Sequence, residues 1–176
     1  MKYLYHGTDI DSAREICGWS GIDITRGSKH SDFGQFFFYT TDDYGRAVKW
    51  ARHKASIRGK RAAVITLIFD LESAKKDIEV FKDDLRWGRF IINNRNGIII
   101  YINKVSFKEN NLDAKYPITY GRIADVDVLN VAKKLFSSFE MLYSIDEIYN
   151  SNYSMQYAFH TVESTKYILK MTYKQV

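Results

Sequence analysis

Ser31-Asp-Phe-Gly-Gln-Phe-Phe-Phe-Tyr-Thr-Thr41, followed at once by Asp42-Asp-Tyr-Gly-Arg-Ala-Val-Lys-Trp-Ala51, reads as a loop, a short aromatic strand and a capped helix. The aromatics Phe36 to Tyr39 are β-rich and are bounded by Gly34 before them and Thr-Thr-Asp-Asp after them. Asp42 or Asp43 offers a cap for a helix whose Tyr44, Val48, Ala51 and Ala55 fall on one face. This predicts a strand ending at Tyr39 and a helix that brings Trp50 back towards it, so that two rings flank one slot.

Upstream, Lys2 to His6 reads as an opening strand, and Gly7-Thr8 lets the backbone turn. Asp9 or Asp11 caps a helix from Ser12 to Cys17, with Gly18 as its stop. A polar loop through Ser28, Lys29 and His30 follows, of the kind that covers a site. Downstream, Ala62 to Asp70 is a nearly continuous apolar run, the pattern of a strand buried on both faces. Ile78 to Phe81 is strand-like, and Asp83-Asp84 precedes a helix through Leu85, Trp87, Phe90 and Ile91. Residues 93–116 are turn-rich apart from a strand pattern at Ile98 to Ile102. Ile118 to Gly121 reads as a strand, Val128 to Phe139 and Ile145 to Tyr149 as helices, and Tyr167 to Tyr173 as a closing strand. Ser154 to His160 alternates, with Gln156, Ala158 and His160 on one face. Strands and helices mix without regular alternation, so the class is α+β.

The 176 residues, 45% hydrophobic and 15% aromatic, suit one domain spanning 1–176 with one core. One Pro, no low-complexity run and no repeat argue against a linker or solenoid. The lone Cys17 excludes an internal disulfide, and His30, His53 and His160 have no metal-ligand spacing, so no metal is expected. The N-terminus is too polar for a signal peptide and no apolar run is long enough to span a bilayer, which leads to the expectation of a soluble, cytoplasmic protein. The net charge of +5 owes much to Lys49, Arg52, Lys54, Arg58, Lys60 and Arg61. That cluster reads first as a solvated helix face and its C-terminal turn, and second as a nucleic-acid patch.

Three motifs stand in order: Tyr5-His-Gly-Thr8, Tyr39-Thr-Thr with Trp50 on the next helix, and Gln156-Tyr-Ala-Phe-His160. Together they resemble the ADP-ribosyltransferase fold of the His-Tyr-Glu kind, a split antiparallel sheet core with flanking helices. More closely, the chain resembles the bacterial family DUF3990, a likeness that extends to Asp32-Phe-Gly34 and Tyr120-Gly-Arg-Ile-Ala-Asp125. The resemblance implies a cleft between two small sheets that takes NAD as substrate. It places His6 on a ribose hydroxyl, Gly7 beside the nicotinamide amide, Thr8 among the cofactor-binding residues, and Tyr39 and Trp50 on the faces of the nicotinamide ring. Asp32, Phe33 and Gly34 fall in the covering loop. Gln156 occupies the position where better-known branches carry a catalytic Glu.

The segment Asp-Phe-Gly-Gln-Phe-Phe-Phe-Tyr is one residue longer than the related pattern and lacks its second Gly, so a one-residue slip would exchange Tyr39 for Phe38 as the stacking ring. Gln156 can accept a hydrogen bond from a sugar hydroxyl but cannot take a proton, which argues for transfer of a single ADP-ribose and against polymer formation. The expected activity is therefore NAD-dependent mono-ADP-ribosyl transfer to a macromolecular acceptor, protein favoured over nucleic acid, in a toxin, effector or phage setting with a small antitoxin as partner. The alternatives are a binding module for NAD, ADP-ribose or a partner on the same fold, and an RNA 2′-phosphotransferase.

Overall fold

The computed structural model describes residues 1–18, 20–27, 31–34, 37–81, 85–96, 100–102, 105–107, 109–123 and 154–176. Strand β1 (Lys2–Asp9) leads into α1 (Ile10–Cys17), and β2 (Phe38–Thr41) into α2 (Tyr44–Ile57). There follow β3 (Ala62–Phe69), α3 (Leu71–Ala74), β4 (Ile78–Val80), α4 (Leu85–Asn96), β5 (Ile100–Ile102) and β6 (Val105–Phe107). The last elements are β7 (Ile118–Arg122), β8 (Met155–Phe159) and β9 (Ile168–Gln175). The helices expected at 128–139 and 145–149 lie outside the described residues. Among the described residues no helix is long and apolar enough to cross a membrane.

The helix starts are set by side chains. Asp9, not Asp11, caps α1 by accepting from Ser12 N at 3.0 Å, and Asp43, not Asp42, caps α2 by accepting from Arg46 N at 3.0 Å. The buried face of α2 is Ala47, Ala51 and Ala55, with Val48 partly covered; Tyr44 stays 42% exposed, its ring edge-on to Tyr5. Three alanines in a row leave α2 a thin face that packs close to the sheet.

Seven strands pair in the order β4-β7-β8-β2-β1-β3-β9, and β5-β6 form a separate hairpin. The class is α+β, as the pattern of elements suggests. The sheet is mixed rather than purely antiparallel, because β4 and β7 run parallel. The chain between Phe81 and Pro117 is long enough to cross back over the sheet, which a parallel pair requires. The sheet is also continuous in its pairing, but unevenly so. β1 pairs with β3 over all eight residues, Lys2 with Phe69 through Asp9 with Ala62, whereas β1 and β2 meet only at Tyr5 and Thr41. One wing is thus β1-β3-β9, the other β2-β8-β7-β4, and a single residue pair joins them.

Strand β2 runs two residues beyond Tyr39, because β-branched Thr40 and Thr41 continue the ladder opposite Tyr157 and Gln156. Phe38 lies opposite Phe159 and points with it into the main core, beside Leu4, Ile65, Leu67 and Phe69. Tyr39 and Thr41 share the other face with Ala158 and Gln156.

Candidate functional site

From His6 onward β1 has no strand partner on its β2 side among the described residues. The His6 ring bridges the gap: its Nδ1 lies 2.6 Å from the Tyr39 carbonyl oxygen, and the ring stacks on Phe38 at 4.4 Å. A carbonyl can only accept, so Nδ1 carries the hydrogen and Nε2 keeps its lone pair. Burial holds the imidazole pKa down to about 4; the Tyr39 carbonyl favours the proton, and the nearby Lys54 charge opposes it. His6 is therefore a neutral imidazole fixed in one tautomer.

Gly7 lacks a side chain for a reason the sequence did not give. A Cβ there would lie 2.1 Å from the Ala47 carbonyl oxygen and 2.8 Å from Ala51 N, both backbone atoms of α2. The bare position serves the close approach of this helix to β1, which sets the distance between Trp50 and His6's strand.

Across the parting, Asp32-Phe-Gly34 sends its three residues in three directions. Phe33 is fully buried between Phe81 and Phe90, each at 6.0 Å, over the backbone of Gly121, so it anchors the loop and does not line the cleft. Gly34 has φ +122, and a Cβ there would meet the Asn111 carbonyl at 2.6 Å; it too lies behind the cleft wall. Asp32 turns inward. Its carboxylate pairs with Arg95, whose Nε is 2.5 Å from Oδ1, and its backbone carbonyl accepts from Asn94 Nδ2 at 3.1 Å.

Gln156 completes this wall. Its Nε2 donates to Asp32 Oδ2 at 3.3 Å, and both residues are only 6% exposed. A carboxylate cannot donate, so the amide is oriented with its NH2 towards Asp32, leaving Oε1 as the acceptor end. Sequence reasoning gave Asp32 to a covering loop and missed its contact with Gln156. Nothing local signals a contact across 124 positions.

Tyr39 is partly exposed and borders the cleft, with its hydroxyl accepting from Phe33 N at 2.9 Å. Burial, reinforced by the Asp32 charge, pushes the phenol well above the usual tyrosine range. Phe38, 5% exposed and stacked on His6, is the more enclosed of the two rings. Trp50 also lines the cleft but is 53% exposed, and its ring packs against His53 at 5.8 Å and Lys54 at 5.6 Å. No ring contact joins Tyr39 and Trp50 among the described residues.

Together His6, Gly7, Thr8, Asp32, Phe38, Tyr39, Trp50 and Gln156 line one open cleft of about 1470 Å³. Small-molecule pockets commonly hold roughly 300–1,000 Å³, so this cleft is wider than such a pocket.

A family model described as "Protein of unknown function (DUF3990)" matches residues 2–170. The chain belongs to the DUF3990 family. No curated protein and no solved structure matches it.

In this DUF3990 chain the structure divides the basic cluster. Arg58 donates to buried Asp9 at 2.7 Å, and Lys60 pairs with Asp11 at 2.9 Å, so these two cations tie the end of α2 to the start of α1. The Asp9 carboxyl is held far below its usual range: burial opposes this, and the hydrogen bonds from Ser12 and Arg58 overcome it. Lys49 and Lys54 instead line the cleft with no carboxylate partner among the described residues. Lys54 is half-buried, and desolvation together with the Arg58 charge lowers its pKa. Sequence reasoning grouped all six cations, because spacing along a helix does not show which of them meets an acid from another element.

Proposed function

We propose that this chain is an NAD-dependent mono-ADP-ribosyltransferase acting on a macromolecular acceptor. The observation that carries the reading is convergence: three motifs far apart in the chain border one cleft at the place where the sheet parts. The residues fit the substrate. Neutral His6 offers Nε2 to a ribose hydroxyl. The half-buried Tyr39 offers a ring edge or face to a flat cationic base.

Gln156 accepts through Oε1 from the sugar hydroxyl next to the breaking bond, a hydrogen bond that strengthens as positive charge develops on the ring. The Asp32 carboxylate behind the amide holds that orientation and adds a negative charge to the wall. In the reaction the bond from ribose C1 to the nicotinamide nitrogen breaks, with its electron pair leaving on nicotinamide. The acceptor nucleophile bonds to C1 and releases its proton to solvent.

Mass spectrometry of lysate incubated with NAD and the purified chain is expected to show one ADP-ribosyl increment on an acceptor, absent with Gln156→Ala. A chain that releases no nicotinamide and leaves no adduct overturns the reading. Gln156 itself favours one other, a binding module without turnover, since an amide cannot take a proton. Calorimetric binding of NAD with no nicotinamide release selects that alternative.

A further inference from the structure

We infer that the cleft-facing edge of α2, centred on Trp50, is a binding site for single-stranded nucleic acid. Trp50 is half-exposed, with Lys54 Nζ over its ring at 5.6 Å, His53 against it at 5.8 Å and Lys49 beside it in the chain. The two lysines are about 7.5 Å apart along the helix axis and about 140° apart around it, with Trp50 between them on the side that lines the cleft. A base stacked on Trp50 would therefore have its flanking phosphates within reach of both cations. An exposed aromatic platform between cations is how single strands are held without regard to sequence.

Charge complementarity favours a polyanion. The carboxylates lining the same cleft are engaged elsewhere: Glu15 and Asp23 by Arg26, Asp32 by Arg95, and Asp43 by the α2 N-terminus and Ser154. Lys49 and Lys54 form no ion pair among the described residues, although the Asp9 carboxylate acts on Lys54 from further off, so they give this rim its positive character. Its openness separates it from the inner cleft. A bound dinucleotide is typically enclosed over ~70–90% of its surface, whereas a half-exposed Trp50 suits a strand that runs past. The inference deepens the proposed function by naming the acceptor class, but binding is measured without NAD, so failure of the transfer chemistry and failure of this site are separate results.

The test is fluorescence anisotropy of the full chain with a labelled mixed-sequence 12-nucleotide single strand, as DNA and as RNA. Two phosphate contacts predict a loss of affinity of roughly sevenfold between 50 and 200 mM salt. Trp50→Ala is expected to weaken binding roughly tenfold or more, Trp50→Phe to retain most of it, and Lys49→Glu with Lys54→Glu to abolish it. Arg52→Glu, on the same helix but outside the cleft, is expected to leave affinity unchanged. The site is overturned if Trp50→Ala binds like the wild type, if Arg52→Glu costs as much as the lysine pair, or if polyglutamate competes as well as the oligonucleotide. Folded circular dichroism spectra of these surface variants keep each outcome interpretable.

Discussion

The two walls of the cleft are built in opposite ways. The β1-α2 wall is backbone-tight: eight paired residues tie β1 to β3, and α2 rests on Gly7 with no side chain between. The wall made by loop 31–34, β8 and α4 is assembled from side chains distant in sequence: Asp32 reaches Arg95 across 63 positions and Gln156 across 124. The first wall draws its precision from hydrogen-bonded backbone and the second from a buried charge network. Backbone ladders tolerate side-chain change, while a half-satisfied buried network is costly. The wall that carries the polar chemistry is therefore the fragile one.

Asp32→Ala should separate the two walls most sharply. It removes the carboxylate that pairs with the partly exposed Arg95 and accepts from the buried Gln156 amide, and losing both interactions costs about 3 kcal/mol. Urea denaturation is expected to show that loss, and Asp32→Asn a smaller one, since an amide oxygen still accepts from Gln156. A variant as stable as the wild type would mean that the network does not hold this wall.

Gly7→Ala tests the other wall. The added carbon meets helix backbone with nothing flexible to yield, so a loss of about 1–3 kcal/mol is expected. Thermal unfolding measures it, and Ala51→Gly on the same variant should recover little, because the closest clash is with the Ala47 carbonyl.

His6 joins the walls, and its effect shows only as the pH falls. Its pKa is about 4 when folded, below its ordinary value of 6.5, so the unfolded chain binds more protons between those values. Stability is then full above pH 6.5 and declines as pH falls towards 4, by about 2–3 kcal/mol. Denaturation midpoints across that range should show the slope for wild type and a flatter profile for His6→Gln. An equal slope in both would place the titration elsewhere.

Legibility in the sequence follows the same division. The α2 cap, the alanine face, the apolar β3 run and the alternation of β8 are local patterns, and each appears in the structure. Tyr39 and Thr41 share a face with Gln156, as alternation along β2 and β8 requires once the register is known. Phe33 was read as part of a covering loop because its burial depends on α4 and Gly121, neither of which lies near it in sequence. Gly7 is expected beside the ligand from the resemblance, and its packing against α2, which lies far from it in sequence, adds a second reason for the missing side chain.

The sequence by itself determined the α+β class, most strand and helix positions, and that an aspartate caps each of the first two helices. These rest on periodicity and on side chains acting within a few residues of themselves. Tertiary structure alone decided where the sheet parts, that His6 spans the parting as a neutral imidazole, that Asp32 orients Gln156, and that Arg58 and Lys60 pair with acids while Lys49 and Lys54 form no ion pair among the described residues. Each depends on which groups meet across long separations, and that is set by packing and by the competition of cations for the few buried acids.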